Sequence, residues 1–103
     1  MSQQPQFNDW SSFIELVREA VSKGQDEMLL TILLTSDEKE ALVSRANIVL
    51  ELLQGDLSQR QISQLLGVGI ATITRGSNEL KSLDEQQKQQ ILSLLQESIT
   101  HKR

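Results

Sequence analysis

A chain of 103 residues with no cysteine, one histidine and three aromatic residues excludes several chemistries at once. It has no disulfide framework and no thiolate, and His101, alone in a polar tail, supplies neither a metal site nor histidine-based catalysis. A net charge of −4 is low for a nucleic-acid binder, and so few aromatics argue against stacking on single strands.

The opening segment, MSQQPQFNDW, carries no basic stretch followed by an apolar run, which predicts no signal peptide. No stretch approaches the roughly 20 apolar residues that span a bilayer. The expectation is a soluble, cytoplasmic protein without a membrane partner. A first helix is predicted from Asp9 to Ser22, with Trp10, Phe13, Ile14, Val17 and Val21 on one face and Gly24 just past its end. Trp10 reads as a core or interface anchor. Asp26 is expected to cap a short helix through Leu33, in which Met28, Leu29, Leu30, Ile32, Leu33 and Leu34 leave almost no polar face. A segment that apolar is expected to be buried on all sides.

Thr35-Ser36-Asp37-Glu38 is a capping box opening a long helix to about Gln54, ended by Gly55. One apolar stripe runs through Leu42, Ala46, Val49 and Leu53, and a second through Ala41, Ile48 and Leu52, about 100° round the helix. One small core hardly covers both, which predicts chains that bury apolar surface between subunits as obligate dimers do.

Ser58-Gln59-Arg60-Gln61 is a second capping box, so a helix begins at Gln59; Ile62, Leu65 and Leu66 form its apolar face and Gly67 stops it. Another helix opens near Ile70 with Ile73 and Leu80 inward, completing a helix-turn-helix pattern at about residues 59–81. From Leu57 to Lys81, Arg60, Arg75 and Lys81 stand against the single acidic Glu79, so the negative charge lies elsewhere. The tip of the second helix offers Ile70, Ala71 and Thr74, which supply little bidentate base readout; Arg60 is the best-placed candidate for guanine. A plain αα-hairpin with a glycine turn has the same spacing. A dinucleotide loop at Gly67-Val68-Gly69 is ruled out, because a capped helix precedes it where a strand is required. Ser82-Leu83-Asp84-Glu85 reads as a third box, before a last helix with Ile91, Leu94, Leu95 and Ile99 on one side and QQKQQ as a solvated face. Nothing alternates as a strand. The expectation is an all-α, six-helix, intertwined homodimer: one domain over 1–103, with a dimerisation core at about 9–54 and 83–99.

The segments LLTSDEKEAL and LSQRQISQLLGVGIATITRGSNELK closely resemble the tryptophan operon repressor family of bacteria, over nearly the whole chain from Trp10. The resemblance implies an intertwined homodimer that takes L-tryptophan as co-repressor, with no other cofactor, and then binds double-stranded operator DNA. Arg75 resembles the arginine that holds the ligand carboxylate, and Arg45 the one whose guanidinium covers the indole. Gly76 would meet the other indole face, with Thr72 lining the pocket. Carbonyls of Ile32 and Leu34, with the Thr35 hydroxyl, resemble the ammonium acceptors contributed by the other subunit. Gln59, Thr74 and Asn78 resemble phosphate-contacting positions; Arg60, Ile70 and Ala71 resemble those facing bases, and Ser63 and Gly69 complete the implied DNA surface. On the residues alone, a phosphate contact for Arg75 and an ion pair along the helix for Arg45 stay open.

Three positions depart from the family pattern. Glu79 stands where a serine is usual at the pocket rim, and its carboxylate is placed to repel the ligand carboxylate, to pair with the indole N–H, or to pair with an arginine. Ser63 replaces a commonly basic residue, and Val68 a smaller alanine, whose branched successor is expected to stiffen the turn. Rival readings are a regulator of the same fold answering another amine-carboxylate and a dimer whose hairpin merely packs. An enzyme lacks any nucleophile–base pair or metal cluster.

Overall fold

Local capping chemistry sets most helix boundaries in the computed structural model, which describes residues 4–100. Helix α1 (Trp10–Ser22) begins where the Asp9 carboxylate accepts the Ser12 N–H at 2.8 Å and the Ser12 hydroxyl oxygen accepts the Asp9 N–H at 3.4 Å. Helix α2 (Asp26–Leu33) starts without a side-chain cap, contrary to the reading of Asp26 as one. Asp26 sits inside the first turn, where its charge meets the positive end of the helix dipole instead. The entry is held by the Gln25 N–H, which donates to the Ala20 carbonyl at 2.7 Å.

These two helices form a first compact unit that runs to Lys39. Its buried side chain is Ala20, next to half-buried Leu16. Of the predicted face of α1, Phe13, Ile14 and Val17 are half-buried, whereas Trp10 and Val21 lie at the surface. Trp10 is 72% exposed and stacks on Phe13 with ring centroids 5.4 Å apart, so it is no core residue of its own chain. The expected all-round burial of α2 is not met within one chain either. Met28, Ile32 and Leu33 are exposed, because α1 covers only one side of α2.

Helix α3 (Ser36–Gln54) opens with the predicted box: the Thr35 hydroxyl accepts the Glu38 N–H at 3.1 Å, and the Glu38 carboxylate accepts the Thr35 N–H at 2.8 Å. It ends at Gly55, whose φ of +73° is left-handed. The second compact unit begins at Glu40 and adds α4 (Gln59–Leu66), α5 (Ile70–Leu80) and α6 (Glu85–Thr100). Its core is Ile48, Ile62 and Ile73, one from each of α3, α4 and α5, with Leu52, Leu57, Leu66 and Val68 packed around them. Full burial of each isoleucine contributes about 1.5–3 kcal/mol by transfer alone.

The two stripes of α3 have different fates. Ile48 and Leu52 serve this core, whereas Leu42 and Ala46 on the other stripe stay at the chain's surface. Leu65, predicted to face inward on α4, is 60% exposed, because Ile62 and Leu66 already fill the face against α5. The third capping box also shifts by two residues. Asp84 accepts the Gln87 N–H at 2.7 Å and donates its own N–H to Gln87 Oε1 at 3.0 Å, while the Ser82 hydroxyl donates back to the Glu79 carbonyl. The fold is all-α with six helices, and no strand occurs among the described residues.

Candidate functional site

Three residues, Gly67, Val68 and Gly69, separate α4 from α5, and each has a structural duty. Gly67 takes the left-handed conformation at φ +68° that closes α4. The Val68 carbonyl accepts the Ser63 hydroxyl at 2.5 Å, and its side chain joins the core. Gly69 is the first half-turn of α5, its carbonyl accepting the N–H groups of Thr72 and Ile73. A capped helix thus precedes the glycines, as expected, and no nucleotide loop forms. Ser58 and Gln61 make the reciprocal cap of α4, at 3.1 and 2.8 Å.

The surface of this pair carries the residues read as DNA-facing. Arg60, Ile70, Ala71, Thr74 and Asn78 are exposed, as is Gly69. Gln59 and Thr74 are joined across the two helices, the Thr74 hydroxyl donating to Gln59 Oε1 at 3.1 Å. Ser63 is half-buried and its hydroxyl is committed to the turn.

Between α3 and α5 lies a cavity of about 510 Å³, within the range of small-molecule sites. Residues 72, 75, 76 and 79 fall at i, i+3, i+4 and i+7, so α5 turns Thr72, Arg75, Gly76 and Glu79 to one wall. Helix α3 supplies Arg45, Ile48 and Val49 at the same spacing, and Leu80 and Leu83 complete the apolar lining. The cavity therefore has an apolar body and charged groups at its exposed edge. Neither arginine is neutralised: among the described residues, the ion pairs join Glu15 to Arg18, Glu19 to Lys23 and Glu85 to Lys88. The open alternative of an ion pair for Arg45 along its helix is accordingly not formed. Two free guanidiniums over an apolar floor suit a flat apolar body bearing a carboxylate.

Gly76 lines the cavity and has a second part in the packing. A Cβ built there would lie 3.1 Å from Ile48 Cγ2 and 3.9 Å from Leu52 Cδ1. Its missing side chain is what lets α5 approach α3, and the cavity wall follows from that approach.

Five of the eight residues read as ligand-binding, Arg45, Thr72, Arg75, Gly76 and Glu79, line this one cavity. Ile32, Leu34 and Thr35 belong to the first unit. There Leu34 ends α2, and the Thr35 hydroxyl spends one lone pair on the Glu38 N–H. Ile48, Val49, Leu80 and Leu83 were not anticipated as lining. The stripe on α3 signalled that Ile48 and Val49 pack against something, without separating core from pocket. No metal-holding group of His, Cys, Asp and Glu is present among the described residues, and no helix there is long and apolar enough to cross a membrane.

Comparison with known proteins agrees with this arrangement. Residues 8–100 match the Trp repressor protein family. The chain is 65% identical over 95 residues to a Trp operon repressor homolog of Vibrio cholerae, covering 92% of each chain. It is 62% identical over 96 residues to that of Vibrio vulnificus, covering 93% of this chain and 94% of the relative. Against the Trp operon repressor homolog of Aliivibrio fischeri, identity is 57% over 98 residues, covering 95% and 91%. With matches of that extent, the chain belongs to the Trp repressor family and is a tryptophan-dependent transcriptional repressor, not an enzyme.

Proposed function

We propose that L-tryptophan binds in the α3–α5 cavity, and that two copies of the chain then present their α5 helices to operator DNA. The observation that carries this reading is the unpaired Arg45 and Arg75 at the edge of an apolar cavity of about 510 Å³. Arg75 grips the carboxylate in a fork, Arg45 lies over the indole, and Thr72 borders it. Acceptors at Ile32, Leu34 and Thr35, contributed by a second copy, serve the ammonium. The exposed Trp10, Met28, Ile32, Leu42, Val43, Leu94 and Ile99 leave more apolar surface open than a lone chain of this size carries comfortably, which supports a homodimer.

In helix-turn-helix proteins, this family among them, a dimer reads half-sites about 34–36 Å apart with its second helices in the major groove. Ligand wedged against α5 fixes that helix, so tryptophan and operator strengthen each other's binding reciprocally. Gln59 and Asn78 serve phosphates, with Thr74 holding Gln59 through its hydroxyl; Arg60, Ile70 and Ala71 meet bases, directly or through water. Such a dimer works in the cytoplasm. Titration of a labelled palindromic operator with and without L-tryptophan tests the scheme. Arg75→Ala removes a charge-assisted contact worth roughly 1.5–3 kcal/mol, so tryptophan affinity falls about 10- to 100-fold while sedimentation still shows a dimer. Undiminished tryptophan-dependent operator binding in that variant would falsify the carboxylate assignment.

A further inference from the structure

We infer that Ser63 is a positioning residue whose hydroxyl clamps the turn between α4 and α5. The clamp sets the reading head before any ligand arrives, so the tryptophan-free repressor keeps part of its grip on operator. The inference rests on the proposed reading of operator DNA by α5. Ser63 belongs to the DNA surface implied by the family resemblance, yet its half-buried hydroxyl donates to the Val68 carbonyl at 2.5 Å. A serine hydroxyl has one proton, and phosphate oxygens accept only from donors. That proton is spent inside the protein.

The clamp holds Val68 at both of its peptide groups. The Ser63 carbonyl accepts the Gly67 N–H at 2.9 Å and the Val68 N–H at 3.3 Å, while the hydroxyl holds the Val68 carbonyl. Gly67, at φ +68°, has the widest backbone freedom in the turn and is its natural hinge. Rotation there, or about Val68 itself, moves a peptide group that Ser63 holds. The Val68 carbonyl lies in the peptide that leads into Gly69, whose own carbonyl accepts the Thr72 and Ile73 N–H groups at the start of α5. Fixing that peptide fixes where α5 begins. The Val68 side chain packs on the Ile48, Ile62 and Ile73 core, which anchors the turn from its inner side. A lysine or arginine at 63 supplies charge but no short hydroxyl for a carbonyl five residues on. This chain therefore exchanges a cation for a clamp.

Apparent affinity scales with the fraction of molecules whose head is already competent to bind. Tryptophan against α5 orders the same head, so the clamp matters most when tryptophan is absent. The test is operator titration of the full-length dimer with and without saturating L-tryptophan, on wild type, Ser63→Ala and Ser63→Thr. Amide exchange of the ligand-free proteins accompanies it. Alanine is the better helix former, so the fold is spared and propensity alone predicts a firmer α4. Ser63→Ala should lose operator affinity about fivefold without tryptophan, and less than about twofold with it. The enhancement by tryptophan grows accordingly. The Thr72 and Ile73 amides exchange faster while those of α3 hold their rate. Ser63→Thr keeps the hydroxyl and stays close to wild type in each measurement. Equal losses with and without tryptophan mean that the hydroxyl touches DNA, and unchanged affinities mean that the clamp carries nothing to DNA. Either result overturns this inference and leaves the proposed function standing. Absence of tryptophan-dependent operator binding in the wild type overturns the proposed function and this inference with it.

Discussion

Gly76→Ala sets two opposing effects against each other at one atom. Glycine inside a helix costs about 1 kcal/mol relative to alanine, so propensity alone predicts a gain. The new methyl, however, lies 3.1 Å from Ile48 Cγ2. Ordinary carbon contacts begin at about 3.5 Å, so roughly 0.4 Å must be found. Ile48 is 2% exposed and β-branched, with one strongly preferred rotamer in a helix, and cannot swing aside. The strain therefore falls on the α3–α5 separation, and overpacking of this kind costs about 1–3 kcal/mol. The net expectation is a destabilisation of about 1 kcal/mol, together with weaker tryptophan binding as Arg75 shifts relative to Arg45. Urea unfolding at a fixed protomer concentration measures the first, since a dimer's stability depends on concentration. Calorimetry measures the second. A double-mutant cycle with Ile48→Ala isolates the contact, because removing Cγ2 should make the alanine at 76 cheaper. A variant stabilised by the full propensity gain, or strictly additive with Ile48→Ala, would refute the close approach as the reason for glycine here.

Two further substitutions probe the α4–α5 junction. Gly67→Ala forces a Cβ into the left-handed region at φ +68° and should lower stability by about 1 kcal/mol; circular-dichroism melts that match the wild type would contradict this. Ser58→Ala deletes the acceptor for the Gln61 N–H and should cost about 1 kcal/mol, seen as faster amide exchange over the first turn of α4 rather than throughout the chain.

How far the sequence carries depends on how local the deciding chemistry is. Thr35 and Ser58 cap their helices as read, because a capping box is complete within four residues. At Ser82 two such patterns overlap, Ser82 with Glu85 and Asp84 with Gln87. The carboxylate acceptor wins, which spacing alone does not decide. The wall of Thr72, Arg75, Gly76 and Glu79 follows from helical periodicity, yet its opposite wall comes from Arg45 to Val49, far upstream. Only the family resemblance joined Arg45 to Arg75. The contact of Gly76 with Ile48 was hidden for the same reason: a glycine's neighbours are set by which helix crosses it. Periodicity likewise measured how apolar α2 is, but the number of helices available to cover it is a property of the fold.

The bond between Thr74 and Gln59 has a consequence for how a duplex is met. With Oε1 occupied by the threonine hydroxyl, the amide of Gln59 is held with its NH₂ turned away from that bond, and donors are what phosphate oxygens require. Thr74 acts as a rotamer lock, and Gln59 arrives already ordered, so less side-chain freedom is lost on docking. In the proposed operator complex, a surface with so few cations would gain affinity by stiffness rather than by charge, and its grip on DNA should be less sensitive to salt than that of a lysine-studded head.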